Sequence, residues 1–299
     1  MAPFDKSRTK IGFAGLGLMG GALVRRLAAE GWNLRVWNRS RERTLEFAAQ
    51  GLVVEKTPAD LAARSDLVLS SLENDQAVRD VYLGAQGIFA GAKPGLTVLE
   101  MSTVSPSVSG ELHARAETLG IRFLDIPISG STPAVKTGTI TLLAGGARET
   151  FEACVPLYES IAKQWFLMGP AGSGVRMKLV VNLLLGVGMQ SIAESIALGE
   201  SLGLDRETLL GVLSKTAVIG PAFTGKFDKI LRHDYSPQFP LRLMNKDLGL
   251  ALKEAGEKNL SLPAAEAAYG VTREAVKQSG DLDLSAITPL IIEQKLPKA

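Results

Sequence analysis

The sequence contains very few of the side chains that bind transition metals or form disulfides. Its 299 residues include one cysteine, Cys154, and two histidines, His113 and His233. One cysteine cannot form an internal disulfide framework, and such a chain is typical of a reducing compartment. Two histidines and one cysteine also argue against a zinc site. We therefore predict no metal centre and no disulfide.

The chain also lacks an excess of charge of either sign. Its 33 Lys and Arg residues are balanced by 31 Asp and Glu, with no basic run, so nothing favours nucleic-acid binding. An apolar content of 46% with 21% charged residues is typical of a soluble globular protein, and the length allows two domains. The opening MAPFDKSRTK has no apolar stretch of the kind found in signal peptides, so we expect a cytoplasmic protein.

A strand, a glycine-rich turn and a helix are predicted near the start of the chain. Lys10–Ala14 is a short apolar run, and apolar residues recur at helical spacing over Ala22–Glu30. A G-x-G-x-x-G in this context is typical of dinucleotide binding, although many tight turns need glycines. The first glycine permits the turn, the second lets a pyrophosphate approach bare backbone, and the third lets the helix pack on the strand. The cofactor-binding candidates are Gly15, Leu16, Gly17, Leu18, Met19 and Gly20.

The residues after the second predicted strand, Asn33–Trp37, bear on the choice of cofactor. An NAD enzyme places an acidic residue there for the ribose 2′-hydroxyl. This chain has Asn38, Arg39 and Ser40 instead, and a guanidinium can bind a 2′-phosphate with two hydrogen bonds. These three residues therefore predict NADP. The alternative is that Arg39, Arg41 and Arg43 are only the solvated charges of a turn.

Further alternation of strands and helices predicts a doubly wound parallel sheet. The predicted strands are Asp66–Ser71, Leu96–Glu100 and Arg122–Asp125, and the helices between them are Thr57–Ala63, Asp75–Leu83 and Ser105–Leu119. Ligands bind at the carboxyl ends of the strands in such sheets. This makes Leu72, Ser102 and Thr103 candidates, with N-capping of the next helix as the alternative for Ser102 and Thr103.

A loop rich in hydroxyls follows the strand that ends at Asp125. Ser129, Gly130 and Ser131 could form an anion-binding nest for a substrate carboxylate, or only a Pro/Gly/Ser loop. The remainder of this domain is predicted as a strand, a helix and a strand: Thr139–Ala144, Glu149–Ala162 and Gln164–Met168.

One long helix is predicted over Gly172–Leu202. Its first half is so apolar that we expect it to be buried all round. Lys178 and Asn182 interrupt that surface one turn apart on the same side, so Lys178 is either a catalytic ammonium or a lysine that extends to water. Its polar residues argue against a membrane span. Gly186 and Gly188 cost about 1 kcal/mol each relative to alanine, which predicts close packing of another backbone.

Helices without strands are predicted beyond the long helix, at Arg206–Ser214, Pro221–Leu231, Asn245–Lys258 and Ala264–Gln278. The fold class is therefore α/β, with an N-terminal Rossmann doubly wound parallel sheet, a long interdomain helix and an all-α C-terminal domain. The domains are predicted as residues 1–170, 171–202 and 203–299.

Four segments together resemble the β-hydroxyacid dehydrogenase family, which includes 3-hydroxyisobutyrate dehydrogenases, tartronate semialdehyde reductases and glyoxylate/succinic semialdehyde reductases. They are GFAGLGLMG at Gly12–Gly20, DIPISGS at Asp125–Ser131, GSGVRMKLVVN at Gly172–Asn182 and KDLGLAL at Lys246–Leu252. Within the family, the resemblance is to the glyoxylate/succinic semialdehyde reductases, through SGS, KLVVN, FPL at Phe239–Leu241 and GDLDLS at Gly280–Ser285.

The resemblance implies an NADPH-dependent reductase of small acid aldehydes that is a homodimer or homotetramer. It makes Lys178 and Asn182 the catalytic residues, both in contact with the substrate, and places Thr103 near the nicotinamide. It assigns Ser129, Gly130, Ser131 and Phe239 to the substrate and Lys246 to the cofactor. Val181, where many relatives have a second asparagine, and the apolar stretch before Lys246 depart from the pattern. Three alternatives stay open: a 3-hydroxyisobutyrate or tartronate semialdehyde enzyme, an imine reductase, and a non-catalytic NADP-binding module.

Overall fold

The computed structural model describes residues 1–293, which divide into two compact units. The first unit is Met1–Lys178, and the second begins at Leu179. Helix Ser173–Ser201 starts in the first unit and continues in the second. The three-part division of the chain remains a prediction.

The first unit is built on a nine-stranded sheet. Its strands are β1 Lys10–Ala14, β2 Asn33–Trp37, β3 Val53–Val54, β4 Leu67–Ser70, β5 Thr97–Glu100, β6 Arg122–Asp125, β7 Ile128–Ser129, β8 Ile140–Gly145 and β9 Ala162–Gly169. They lie in the order β3-β2-β1-β4-β5-β6-β8-β7, with β9 paired to β8. The order 3-2-1-4-5-6 is that of the Rossmann fold, and the chain reverses direction across the sheet between β1 and β4. Ligands bind at the carboxyl ends of the strands beside such a reversal.

The predicted parallel sheet is confirmed for β1 to β6, and antiparallel pairing begins beyond them, at β8. β1 to β6 pair in parallel, but β8 is antiparallel to both β6 and β7. The physical reason is the short connection: β7 and β8 are joined through one five-residue helix, Thr132–Lys136, and a short connection favours antiparallel pairing.

Helices cover both faces of this sheet, and each face has its own apolar core. They are α1 Leu18–Ala29, α2 Leu45–Ala49, α3 Pro58–Ala63, α4 Asp75–Leu83, α5 Ile88–Gly91, α6 Pro106–Thr118, α7 Thr132–Lys136, α8 Arg148–Ala153 and α9 Val155–Ile161. The single helix predicted over Glu149–Ala162 is in fact α8 and α9. Pro156 occupies the first turn of α9, where its missing N–H costs nothing, so a new helix begins there.

The second unit is helical, as predicted. Its helices are α10 Ser173–Ser201, α11 Arg206–Leu213, α12 Pro221–Leu231, α13 Leu241–Glu257, α14 Pro263–Ser279 and α15 Ile287–Ile292. They share one apolar core, which includes Met189, Ile196, Leu248 and Ala268. By length and composition alone α10 could cross a membrane, but the core helix of a soluble protein passes the same test. That it does not span a membrane therefore stays a prediction.

Two expectations for α10 were wrong. Its first half is not buried all round, since Val180 is 61% and Leu184 70% exposed. Hydropathy gives the width of an apolar face, but not whether the rest of the chain covers it. The two glycines do pack closely, but against side chains rather than backbone. A Cβ at Gly186 would lie 2.8 Å from Met244 Sδ, and one at Gly188 would lie 2.5 Å from the Phe223 ring.

Candidate functional site

The glycine turn between β1 and α1 has the geometry of a phosphate-binding turn. Gly15 has a φ of +96°, and a Cβ there would lie 2.3 Å from the carbonyl oxygen of Ser71. A Cβ at Gly20 would lie 1.9 Å from the oxygen of Gly15, so α1 packs directly on the turn. A Cβ at Gly17 would meet only an Arg43 side-chain nitrogen, at 3.6 Å, so the space there is otherwise open. No side chain caps α1 and no acid lies in its first turn, so its N–H groups fit a cofactor pyrophosphate.

Asn38, directly after β2, holds the glycine turn at Leu16. Its Oδ1 accepts a hydrogen bond from Leu16 N at 2.8 Å, and its Nδ2 donates to the oxygen of Ser40 at 2.9 Å. Asn38 thus ties the glycine turn to the loop predicted to hold the ribose. Leu18 and Met19 form the first turn of α1, as their position in the motif requires.

The arginines after β2 point to a residue that the sequence reasoning undervalued. Arg39, Arg41 and Arg43 are exposed, and none forms an ion pair with another residue of the described chain. A 3₁₀ helix over Arg41–Thr44 brings Arg43 back beside Gly17. The sequence offered Arg43 only as a solvated charge. The signal was its position only four residues after Arg39, beyond the same end of β2.

Leu72, after β4, and Ser102, after β5, are joined by a hydrogen bond, and a buried carboxyl lies next to it. The Ser102 hydroxyl accepts a hydrogen bond from Leu72 N at 2.7 Å and donates a short hydrogen bond to Glu100 Oε1. Burial raises the pKa of Glu100 from 4.5 to about 7, although hydrogen bonds from Ser102 and Ser70 oppose the shift. Ser102 is not the cap of α6, because Ser105 fills that position. Thr103 follows in the same loop, half-buried.

Asp125 holds the start of the helix that carries the candidate catalytic lysine. Its Oδ1 accepts hydrogen bonds from Gly172 N at 2.8 Å, and its Oδ2 accepts from Val175 N at 2.9 Å. His113 Nε2 lies 2.9 Å from Oδ1. Lys178 follows Val175 by about one turn in the same helix and is only 8% exposed. Lys178 is therefore largely shielded from bulk water, and its catalytic role stays a prediction.

The DIPISGS loop lies at the junction of β7 and α7. Ser129 pairs in register with Thr141 of β8, and Ser131 is the N-terminal cap residue of α7 without a side-chain capping bond. Gly130, with a φ of +145°, would carry a Cβ 2.9 Å from Ile140 Cγ2. Ser129 and Ser131 are half-buried, and Gly130 is exposed.

In the second unit, Asp247 brings two candidates together. Asn182 Nδ2 donates to Asp247 Oδ2 at 2.5 Å, and Lys246 Nζ lies 2.8 Å from Asp247 Oδ1, as an ion pair without the alignment of a hydrogen bond. The Asp247 side chain is buried. This hydrogen bond helps to fix the orientation of the Asn182 amide. Asp247 was missed in the sequence, although an acid in the apolar α13 run was the signal.

Phe239 is fixed by another buried carboxylate in the same unit. Asp283 Oδ2 accepts hydrogen bonds from Gln238 N at 3.0 Å and Phe239 N at 3.1 Å, and it pairs with Lys226 at 2.8 Å. Burial acts to raise the pKa of Asp283, but the Lys226 charge and these hydrogen bonds outweigh it and lower that pKa. The GDLDLS segment therefore supplies the residue that holds the Phe239 loop.

The residues that the structure describes show no metal site. Within residues 1–293, no group of three or more His, Cys, Asp or Glu side chains is placed to hold a metal ion. Cys154 is buried and free, and burial raises the pKa of its thiol to about 12, so it is not a reactive nucleophile.

The strand order and the glycine turn define a dinucleotide-binding protein, and known proteins identify the family. The protein-family model described as the NAD binding domain of 6-phosphogluconate dehydrogenase matches residues 10–169. The one described as NAD-binding of NADP-dependent 3-hydroxyisobutyrate dehydrogenase matches residues 172–291. The chain therefore belongs to the β-hydroxyacid dehydrogenase family.

Individual relatives and a solved structure agree with this family. Glyoxylate/succinic semialdehyde reductase 1 of Arabidopsis thaliana is 33% identical over 93% of this chain and 96% of its own length. The cytokine-like nuclear factor N-PAC of Danio rerio is 34% identical over 96% of this chain, which spans 62% of that protein's length. The structure of 3-hydroxyisobutyrate dehydrogenase from Mycobacterium tuberculosis with L-serine has a TM-score of 0.81 and 29% identity, covering 95% of this chain and 99% of that one.

Proposed function

We propose that the protein is an NADPH-dependent reductase of small acid aldehydes, glyoxylate and succinic semialdehyde among them, and yields hydroxyacids. The observation that carries the proposal is the buried Lys178, one helical turn before Asn182 on a helix anchored to the nucleotide-binding sheet. An ammonium that is kept from bulk water can stabilise growing negative charge and donate a proton.

In this mechanism, bound NADPH would supply a hydride to the carbonyl carbon of the aldehyde. Lys178 donates a proton from Nζ to the carbonyl oxygen as negative charge develops there. Asn182, oriented by Asp247, offers its carbonyl oxygen to the lysine or to a substrate hydroxyl. Ser129, Gly130 and Ser131 hold the substrate carboxylate, Phe239 forms a wall of the substrate site, and Lys246 binds the cofactor.

Three features support the cofactor part of the proposal. The open position at Gly17 leaves room for a pyrophosphate, and Arg43 lies beside it. Arg39 and Ser40 stand where an NAD enzyme has an acid. The family model that matches residues 172–291 is described as that of an NADP-dependent 3-hydroxyisobutyrate dehydrogenase.

A second candidate function is a 3-hydroxyisobutyrate or tartronate semialdehyde enzyme, which the likeness to the Mycobacterium tuberculosis dehydrogenase favours. The N-PAC relatives, named as nuclear factors, favour a non-catalytic NADP-binding module. An imine reductase shares the fold but lacks support from Lys178. We further propose a cytoplasmic enzyme, supported by a single buried cysteine, and a homodimer or homotetramer.

The test is NADPH oxidation with a panel of small carbonyl compounds by the wild-type protein and by Lys178→Ala. The panel contains glyoxylate, succinic, methylmalonate and tartronate semialdehydes, and one cyclic imine. We expect turnover of acid aldehydes, and a loss of at least about a hundredfold in Lys178→Ala with NADPH still bound, the scale of positioned acid catalysis.

Lys163→Ala, which removes an exposed lysine of the same unit, is the matched control and should keep full activity. Near-normal turnover in Lys178→Ala would exclude the lysine from the mechanism. NADPH binding without turnover of any compound would favour the binding module instead.

A further inference from the structure

A buried hydrogen-bonded cluster lies beneath the carboxyl ends of β4 and β5. Glu100 Oε1 accepts hydrogen bonds from the hydroxyls of Ser70, at 3.1 Å, and Ser102, while Oε2 accepts from Ser102 N at 3.0 Å. The Tyr82 hydroxyl lies 2.6 Å from that of Ser70. All four residues are buried. A polar cluster of this size inside the sheet needs every member hydrogen-bonded, so its geometry is tightly fixed.

The cluster reaches the glycine turn through one backbone group. Ser102 Oγ accepts a hydrogen bond from Leu72 N at 2.7 Å, which fixes the loop after β4. In that loop, the oxygen of Ser71 and the side chain of Leu72 are the atoms that a Cβ at Gly15 would meet, at 2.3 and 2.9 Å. A chain of direct contacts therefore runs from the Glu100 carboxyl to the turn that faces the cofactor pyrophosphate.

The hydrogens in the cluster match a charged carboxylate. Because the single Ser70 hydrogen is donated to Glu100, Tyr82 donates to Ser70. Glu100 then receives three donors and has none of its own. A neutral Glu100 adds a fourth hydrogen, for which the nearest acceptors are the Ser70 and Ser102 hydroxyls. Protonation also removes the charge that strengthens the hydrogen bond from the Ser102 hydroxyl, and this hydroxyl, which holds Leu72, is then held less firmly.

We propose that Glu100 is a positioning residue for the nicotinamide cofactor. In its charged form it fixes Ser102, and through the Ser102 hydroxyl it fixes Leu72 against the glycine turn; uptake of one proton by Glu100 loosens this link and weakens cofactor binding. The inference rests on the proposed use of a nicotinamide cofactor and extends it by a dependence on pH that none of the motif residues would produce.

The groups around Glu100 set the pH range. Burial raises its pKa to about 7, hydrogen bonds from Ser102 and Ser70 lower it, and the Asp125 charge on the neighbouring strand raises it. Asp125 itself faces His113 of α6. Tyr82 of α4 stays neutral, because burial raises its pKa well above the ordinary value. Since a carboxyl is charged above its pKa, the link is intact above about pH 7 and loosens below it.

The experiment is titration of NADPH fluorescence with the full chain, wild type and Glu100→Gln, at about pH 6 and about pH 8, on either side of the Glu100 pKa. The amide imitates the protonated acid. We expect Glu100→Gln to bind NADPH about fivefold more weakly than wild type at the higher pH, the scale of one lost hydrogen bond. At the lower pH the two proteins should bind alike. The 2′-phosphate also titrates in this range, but it affects both proteins equally.

Glu55→Gln is the matched control, since it removes another buried carboxylate of the same unit, one that pairs with Arg35 and Arg64. Its affinity ratio to wild type should be the same at both pH values. If Glu100→Gln does not fold, Ser102→Ala removes the hydroxyl between Glu100 and Leu72 and should weaken binding chiefly at the higher pH.

Equal or tighter binding by Glu100→Gln at the higher pH would overturn the inference, and so would an equal loss at both pH values. If wild type binds NADPH and the variants do not differ, only the inference fails. If wild type binds no NADPH at all, the proposed function fails as well.

Discussion

Arg39 and Arg43 are the side chains to which the proposed function assigns the choice between the two nicotinamide cofactors. Both are exposed, follow β2 within six residues and have no acidic partner within residues 1–293, and Arg43 lies beside Gly17. We expect Arg39→Ala and Arg43→Ala each to weaken NADPH binding about tenfold or more, the scale of a charge-assisted hydrogen bond, with little effect on NADH. Titration of both cofactors measures this.

Arg148→Ala is the control for that prediction, because Arg148 is an exposed arginine at the start of α8. It should leave both affinities unchanged. Equal losses of NADPH and NADH affinity in Arg39→Ala and Arg43→Ala would contradict the assignment to the 2′-phosphate.

Single residues show where sequence reasoning reaches its limit. The positions of the glycines in the turn and the shared face of Lys178 and Asn182 follow from local spacing alone. Glu100, Asp247 and Asp283 were missed, because an acid is expected on the surface and only the tertiary structure shows which donors surround it. For Glu100 and Asp247, the signal was an acid next to an apolar run.

At the scale of an element, the first turn of helix α10 is held in place by Asp125, the last residue of β6. Asp125 accepts hydrogen bonds from the N–H groups of Gly172 and Val175, one with each carboxylate oxygen. An amide in its place has one acceptor oxygen, so one buried N–H would lose its partner and the first turn would shift. We expect Asp125→Asn to lower kcat about tenfold, the scale of one such hydrogen bond, with a smaller change in the KM for NADPH.

Steady-state kinetics with an accepted aldehyde checks this, and Asp66→Asn is the control. Asp66 also accepts a backbone hydrogen bond, from Lys10 N at 2.8 Å, but at the amino end of the sheet, away from the ligand-binding edge. Its kcat should stay near that of wild type. A kcat for Asp125→Asn equal to that of wild type would show that the turn does not position Lys178.

Elements with a distinct apolar run or a repeating apolar pattern were predicted well. β1, β2, β6, α4 and α12 have the predicted bounds. The two-residue strands β3 and β7 and the short helices α2, α5 and α7 were missed, since so few residues carry no period and tertiary pairing decides them. The antiparallel direction of β8 was not predicted for a different reason, because the connections between strands set their direction.

For the whole molecule, the exposed face of α10 bears on assembly. Val180 and Leu184 lie one turn apart on one face, 61% and 70% exposed. Exposed apolar residues so close together mark interaction sites more often than isolated ones do. In the proposed homodimer, a second copy of the chain would cover this face. Two copies related by a twofold axis use the same surface patch, so the α10 face of one would contact the α10 face of the other.

We therefore expect Leu184→Glu to dissociate the dimer, because it would bury a charge without a partner in the contact. Light scattering of wild type and variant measures the mass in solution, and circular dichroism checks that the helices remain. Val218→Glu places the same charge at another exposed position of the second unit, 82% exposed, and should leave the mass unchanged. A wild-type mass equal to that of one chain, or a dimer that survives Leu184→Glu, would show that this face of α10 does not hold two copies together.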